Sequence, residues 1–207
     1  MTLVFLGRIN AIFKSLAAPI QGKEVVTILK KQYQWDGQST INLVVRGKKV
    51  YALSYSPTAK EITILAIPDD TYLEVPLDFG SWPTRSVYGL GQTDQRTTGP
   101  QLLRQTLQLT LGVPMDGYLS LAGSLADQPF DQVVEKVRKN PIQTINLIRQ
   151  SSTDLSLWEF SRLLWQWWGI RNDQIRIVDL GQSQITQSIL LPDSSRALGL
   201  DQTRLDQ

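Results

Sequence analysis

An apolar stretch that ends at a proline and two carboxylates constrains this chain more than any other feature. Residues 61–67, EITILAI, have the apolar and β-branched composition of a buried strand. Pro68 ends that strand, because proline has no backbone N–H to donate to a sheet. Asp69 and Asp70 follow at once. The sequence therefore predicts two adjacent carboxylates at the end of a strand.

Other segments also have the composition of strands. The turn residues 57–60, PTAK, join residues 49–56 to residues 61–67, so these two strands are predicted to form an antiparallel hairpin. In that register Ser56 faces Glu61. Further strands are predicted at residues 41–45, 175–180 and 185–191.

The hairpin register also makes a prediction about charge. Continued beyond the strands, it places Lys48 opposite Asp69. Opposite charges on cross-strand neighbours attract, with about 0.2–1 kcal/mol of stabilisation. We therefore expect these two side chains to form an ion pair.

Helical patterns lie between the strands. A helix is predicted to begin at Pro100, a favoured first position, and to end at Gly112. Leu103 and Leu107 share one face of it. Residues 130–137 have helical apolar spacing, and Pro141 opens a further short helical segment. The glycine-bearing and proline-bearing stretch that follows residues 71–76 is predicted to be a loop.

The start of one helix is specified by several residues together. Ser156 and Glu159 have the spacing of a capping box, and Leu155 and Phe160 have the spacing of a hydrophobic staple. Gly169 is expected to end this helix. It carries Trp158, Trp165, Trp167 and Trp168, most of which we expect to fill the core or a helix-packing seam. The alternative is a platform for stacking or for a carbohydrate.

Strands interleaved with helices predict an α/β fold. We expect a layered domain with a mixed, largely antiparallel central sheet flanked by helices. The chain has 207 residues, a length compatible with one domain. Residues 1–35 are set apart as an N-terminal helical segment, and residues 36–207 as the α/β domain.

Composition excludes several kinds of chemistry. The chain has no cysteine and no histidine, which removes thiol nucleophiles, disulfides, Cys/His zinc sites and the Ser-His-Asp triad. Catalysis would depend on carboxylates, arginine, lysine, hydroxyls or a metal bound through oxygen. The formal net charge of +2 is too small to indicate nucleic acid as a partner.

The N-terminal segment has two interpretations. Its apolar run at residues 3–6 is far shorter than the roughly 20 residues that span a membrane. One interpretation is that the run is the last part of a membrane-spanning helix whose beginning is missing. The alternative is an amphipathic first helix with Leu3, Leu6, Ile9, Ile12 and Phe13 at helical spacing on one face.

Several motifs in order resemble the LytR-CpsA-Psr family of cell-envelope proteins. Residues 67–71, Ile-Pro-Asp-Asp-Thr, match that family's Ile-Pro-Arg-Asp-Thr at four of five positions. Residues 46–48 stand at the entry of the family's hairpin, and residues 83–92 resemble its glycine-bearing loop. The helix of residues 100–111 and the start TDLSLWEF are also similar. The resemblance covers residues 41–191.

The resemblance implies an activity and a location. Proteins of this family transfer a glycopolymer from a polyprenyl-pyrophosphate carrier onto peptidoglycan, usually with magnesium. Their domain lies outside the cytoplasm behind an N-terminal membrane anchor. The expected partners are therefore a polyprenyl phosphate lipid or glycopolymer and, through residues 1–35, the membrane. The expected cofactor is Mg²⁺.

The resemblance also implies roles for particular side chains. The anion-binding candidates are Arg46, Lys48, Arg85 and Arg104, because cations and forked arginine donors suit pyrophosphate oxygens. Asp70 is the catalytic candidate, and Asp69 and Asp70 are the metal-ligand candidates. Leu103 and Leu107 are candidates for an apolar cleft that takes the lipid tail.

Two departures from the family pattern leave the activity open. Asp69 stands where the family has an arginine, and Lys48 stands where it has an acidic residue. One hypothesis is an active transferase with a rearranged site, and another is a non-catalytic protein that binds or scaffolds. A third sets the resemblance aside and describes a cytosolic α/β protein of unknown use.

Overall fold

The computed structural model describes residues 34–140 and 150–182, and the backbone of two further strands at 186–190 and 196–200. The segments predicted at residues 1–33 and 141–148 lie outside the described residues. The strands are β1 (Ile41–Arg46), β2 (Val50–Ser56), β3 (Glu61–Ile67), β4 (Thr71–Val75), β5 (Gly80–Pro83), β6 (Gly117–Ser120), β7 (Ser152–Thr153), β8 (Ile175–Asp179), β9 (Thr186–Leu190) and β10 (Arg196–Leu200). The α-helices in these segments are α1 (Thr84–Thr93), α2 (Gly99–Leu111), α3 (Phe130–Lys139) and α4 (Leu157–Trp168).

The described strands form two sheets, and the larger one confirms the predicted fold class. Its order is β7-β6-β1-β2-β3-β8. Three of its pairings are antiparallel, whereas β1–β6 and β3–β8 are parallel. The smaller sheet has the order β5-β4-β10-β9. The architecture is therefore an α/β domain with a mixed, largely antiparallel central sheet.

Alternating side chains of the central strands separate two apolar cores. From β1, Leu43 and Val45 enter the first core, together with residues of α3 and α4. Val44, between them, enters the second core with residues of α1, α2 and β4. The alternation follows from the period of two of a strand. The sheet is thus covered by α3 and α4 on one face and by α1, α2 and the smaller sheet on the other.

Helix α4 has the predicted ends. The Ser156 side chain accepts a hydrogen bond from the Glu159 backbone, and the Glu159 carboxylate accepts one from the Ser156 backbone, at 2.8 Å. Gly169 is the C-cap. Leu155 and Phe160 are both buried in the first core. Among the described residues no helix is long and apolar enough to span a membrane.

Two predictions about the fold are wrong. The stretch predicted as a loop contains β5 and α1. The expectation that most tryptophans of α4 fill the core or a helix-packing seam also fails. Trp167 is buried, but Trp158, Trp165 and Trp168 are 50%, 74% and 60% exposed. The helix buries only one face, and these three side chains lie on the other.

Candidate functional site

Several strand ends meet at one edge of the central sheet. Arg46, the last residue of β1, pairs with Ser120, the last residue of β6, because these strands run parallel. In the same way β3 runs parallel to β8, and Ala66 pairs with Asp179. The polar residues that follow these strands therefore lie along a single edge, which we call the anion edge. It carries Arg46, Lys48, Asp69, Asp70, Arg85, Ser120 and Asp179.

Arg46 is the best-positioned cation of the anion edge. Its guanidinium carbon lies 3.9 Å from the centroid of the Tyr88 ring, a cation–π distance. Its Nη1 donates to the Ser120 hydroxyl, with an N–O distance of 3.5 Å. Tyr88 is buried on α1, so it is a rigid platform. Arg46 itself remains exposed, which leaves forked donors available to an oxyanion.

Asp69 and Asp70 are exposed in the loop between β3 and β4. The Thr71 N–H donates to the Pro68 carbonyl at 3.1 Å, which closes this loop. The Arg85 N–H donates to the Asp69 carbonyl at 3.1 Å. That bond ties the first turn of α1 to the carboxylate loop. The backbone of Arg85 therefore lies beside that of Asp69.

The predicted ion pair between Lys48 and Asp69 is wrong. The hairpin register is confirmed, with Ser56 opposite Glu61, but the pairing stops at Val50 and Ile67. Beyond that point the Gly47 N–H donates to the Lys49 carbonyl at 3.0 Å and the chain turns. The neighbouring Lys49 forms an ion pair instead, with its Nζ 3.5 Å from Asp179 Oδ2.

Arg104 is engaged with a buried aspartate that the sequence analysis did not identify. Its Nη1 lies 3.2 Å from Asp154 Oδ2, and Asp154 is 5% exposed. The other carboxylate oxygen accepts from the Tyr118 N–H at 2.7 Å. A buried carboxylate needs such partners, because leaving it uncompensated is costly. The charge of Arg104 is therefore offset within the protein.

Leu103 and Leu107 are buried, 1% and 0% exposed, in the second core. Tyr88 belongs to the same core, so the platform of Arg46 is continuous with this apolar interior. Phe79, Leu90 and Leu111 are partly buried around it. The two leucines thus lie behind the anion edge rather than on an exposed surface.

The carboxylates of the anion edge are few. Within residues 34–140 and 150–182, no group of three or more Asp or Glu side chains is arranged to hold a metal ion. Asp69 and Asp70 supply two carboxylates. Mg²⁺ is commonly bound by one or two carboxylates together with waters and substrate phosphates. Two carboxylates are thus enough in number for Mg²⁺ that is held together with a phosphate ligand.

Comparison with known proteins identifies the fold. No family model matches the sequence, and no curated protein matches it. Among solved structures, TagV of Bacillus subtilis is 12% identical, with a TM-score of 0.62, over 82% of this chain and 94% of TagV. A transcriptional regulator from Enterococcus faecalis is 13% identical, with a TM-score of 0.62, over 82% of this chain and 85% of its own.

A third solved structure carries a ligand. It is the LytR-CPS2A-psr family protein YwtF (TagT) with bound octaprenyl pyrophosphate lipid, 13% identical, with a TM-score of 0.56, over 90% of this chain and 94% of TagT. TagT has also been solved bound to LIIa-WTA. The chain has the fold of LytR-CpsA-Psr proteins over most of its length, as the sequence motifs indicated.

Proposed function

We propose that this chain is a cell-envelope protein that binds a polyprenyl-pyrophosphate-linked glycopolymer at the anion edge. The observation that carries the proposal is Arg46, fixed on the buried Tyr88 ring where the ends of β1 and β6 meet. It presents a forked cation at the border of an apolar core, and a pyrophosphate lipid has both an anionic and an apolar part. The shared fold with TagT, solved with octaprenyl pyrophosphate, supports the same assignment.

Charge at the anion edge sets the conditions for binding. Arg46, Lys48 and Arg85 attract a pyrophosphate, whereas Asp69 and Asp70 repel it. At contact distance and an effective dielectric constant near 20, each charge contributes ~4 kcal/mol, and less when exposed to solvent. Mg²⁺ between the aspartates and the phosphate oxygens would turn the repulsion into attraction. We therefore propose that binding depends on Mg²⁺.

The apolar part of the ligand has a matching surface. The second core lies directly behind Tyr88 and contains Leu103 and Leu107. We propose that a prenyl chain enters at its partly buried border, at Phe79, Leu90 and Leu111. Burial of the prenyl chain would contribute about 25 cal/mol for each Å² of apolar surface removed from water.

We propose that residues 1–35 anchor the protein in the membrane, with the domain outside the cytoplasm.

Transfer of the glycopolymer is a second candidate function, and Asp70 favours it. The acceptor hydroxyl oxygen would form a bond to the sugar-linked phosphorus while the bond between that phosphorus and the bridging oxygen breaks. Polyprenyl monophosphate leaves with the electron pair, and the hydroxyl proton passes to the Asp70 carboxylate. Asp70 is exposed beside Arg85, where an acceptor can reach it. A protein that binds the lipid without this step would be the non-catalytic alternative.

The test is binding of octaprenyl pyrophosphate to the full chain, with and without Mg²⁺. Arg46→Ala is expected to weaken binding by about 1.5–3 kcal/mol, the range for a hydrogen bond to a charged group. Asp69→Arg is expected to strengthen it, because the change adds a cation and removes a repulsion. Lys136→Ala is the matched control, since Lys136 is an exposed cation on α3, on the other side of the sheet.

The result separates the alternatives. Equal binding by wild type, Arg46→Ala and Asp69→Arg, or none by any of them, would reject the anion edge as the lipid site. Binding with release of polyprenyl monophosphate to an acceptor indicates the transferase. That release should be lost in Asp70→Asn while binding is kept. Binding without release indicates the non-catalytic protein.

A further inference from the structure

The exposed face of α4 is unusual for a surface helix. Trp158, Trp165 and Trp168 are seven and three residues apart, which places them on one side of the helix. They are 50%, 74% and 60% exposed, and the rings of Trp165 and Trp168 contact edge-to-face at 6.1 Å between centroids. The outer face of a surface helix is normally polar, and contiguous exposed apolar patches mark interaction sites. We call these three side chains the tryptophan stripe.

The tryptophan stripe has charges of both signs around it, because Trp168 lines a pocket together with Asp131, Glu135 and Lys139. Arg162 lies between its members in the sequence and places its guanidinium 5.1 Å from the Trp158 ring centroid. The one acidic residue of α4 is Glu159, which is 2% exposed and turned into the protein. A surface of indole rings with a cation on the same helix suits a lipid headgroup layer. Tryptophan prefers that layer, because its ring is apolar and its N–H is polar.

The N-terminal segment joins the domain beside this helix. The Trp35 N–H donates to Glu159 Oε1 at 2.7 Å, and the Gln34 side chain donates to Ser156 Oγ at 3.4 Å. The first described residues therefore lie at the beginning of α4. Residues 1–33, which precede them in the sequence, contain one acidic residue, Glu24, and five basic residues: Arg8, Lys14, Lys23, Lys30 and Lys31. Basic segments are attracted to anionic membranes.

We infer that the tryptophan stripe of α4 inserts into the headgroup layer of an anionic membrane. It would be a second contact, beside the N-terminal segment, and would fix the orientation of the domain on the bilayer. This inference does not depend on the anion edge, because the stripe and that edge use different residues. Membrane affinity then increases with the apolar area inserted and with anionic lipid content.

The experiment uses the full chain and vesicles of equal parts phosphatidylglycerol and phosphatidylcholine. Co-sedimentation gives the affinity, and tryptophan emission with brominated lipids reports insertion. The double variant Trp165→Gln/Trp168→Gln is expected to bind about tenfold more weakly than wild type. Its emission should lose most of the blue shift and quenching. Trp82→Gln is the matched control, since Trp82 is 39% exposed on β5, and it should bind like wild type.

Three outcomes would overturn the inference. The first is equal vesicle binding by the double variant and wild type. The basic N-terminal segment, which both keep, would then account for all of the binding. The second is no binding by the wild type. The third is protection of the stripe from acrylamide quenching in lipid-free protein, which would mean that residues 1–33 or a second copy cover it. Sedimentation velocity then distinguishes these two coverings, and circular dichroism checks that the variants are folded.

Discussion

Single residues differ in how far the sequence reveals their place in the fold. Asp154 could not be assigned from the sequence, because no pattern marks an aspartate that will be buried against a distant arginine. Its partners, Arg104 and the Tyr118 N–H, are 50 and 36 residues away along the chain. Arg46 and Asp69, in contrast, stand at the ends of predicted strands and could be assigned to one edge from the hairpin register alone.

A residue-scale prediction concerns two glycines whose missing side chains have open space around them. Gly112, the C-cap of α2, has φ +66°, and Gly89 lies within α1 without a positive φ. Gly112→Ala should lower the free energy of unfolding by about 1 kcal/mol, because alanine is strained in the left-handed region.

Gly89→Ala is the matched control for this backbone effect. A Cβ at either position meets nothing within 4 Å, so packing does not differ between them. In a helix interior alanine is favoured over glycine, and this variant should raise stability by about 0.5–1 kcal/mol. Urea unfolding followed by tryptophan fluorescence measures both. A change of the same sign in the two variants would contradict the explanation.

At the scale of elements, the strands that were predicted correctly are those whose sequence pattern has one dominant local cause. The alternation of side chains in β1 and the proline that follows β3 are examples. Helix α1 was missed because its glycines resemble a loop. Gly91 is required by packing: a Cβ there would lie 2.7 Å from the Thr98 carbonyl oxygen at the start of α2. That close approach is a tertiary contact, so the sequence of α1 does not reveal it.

The prediction that the tryptophans of α4 are buried failed for the opposite reason. Their hydrophobicity is strong, but burial depends on which face of the helix meets the sheet. Trp167 shares the inner face with Leu163 and Leu164, whereas Trp165 and Trp168 point outward. Composition alone cannot distinguish a core tryptophan from one that contacts another surface.

The capping box of α4 gives an element-scale prediction. Ser156→Ala removes the acceptor for the Glu159 N–H, which should lower the free energy of unfolding by about 1 kcal/mol. Ser161→Ala, on the exposed face of the same helix, is the control and should change stability by less than about 0.5 kcal/mol. Chemical unfolding of the two variants checks this, and equal losses would rule out the cap as the cause.

At the scale of the whole molecule, the absence of histidine and cysteine shapes the response to pH. No side chain has an ordinary pKa between the carboxyl groups and the tyrosines. Burial raises the pKa of Tyr51 and of Tyr55 above the usual value near 10, although a hydrogen bond with the Phe130 backbone partly opposes this for Tyr51. The folded state therefore keeps these phenolic protons longer than the unfolded chain does.

The sign of the effect follows by linkage. The stabilisation is fully present below about pH 10, where both states keep the proton, and it is lost as pH rises through the folded-state pKa. We expect stability to vary little from about pH 6 to 9 and to fall above about pH 10. Urea unfolding across this range should show the fall. Tyr51→Phe/Tyr55→Phe should make it shallower, and an unchanged slope would contradict the prediction.

The central sheet also fixes how high above a bilayer the ligand would be held. Helix α4 covers one face of the sheet, and Arg46 rests on Tyr88 of α1 at the other. An α-helix with its side chains is about 10 Å thick, so a domain lying on the tryptophan stripe holds Arg46 farther than that from the headgroups. A carrier lipid could then reach Arg46 only by lifting part of its tail out of the membrane. The domain would then draw part of the carrier lipid out of the bilayer, and the apolar core behind Tyr88 would shelter the lifted tail from water.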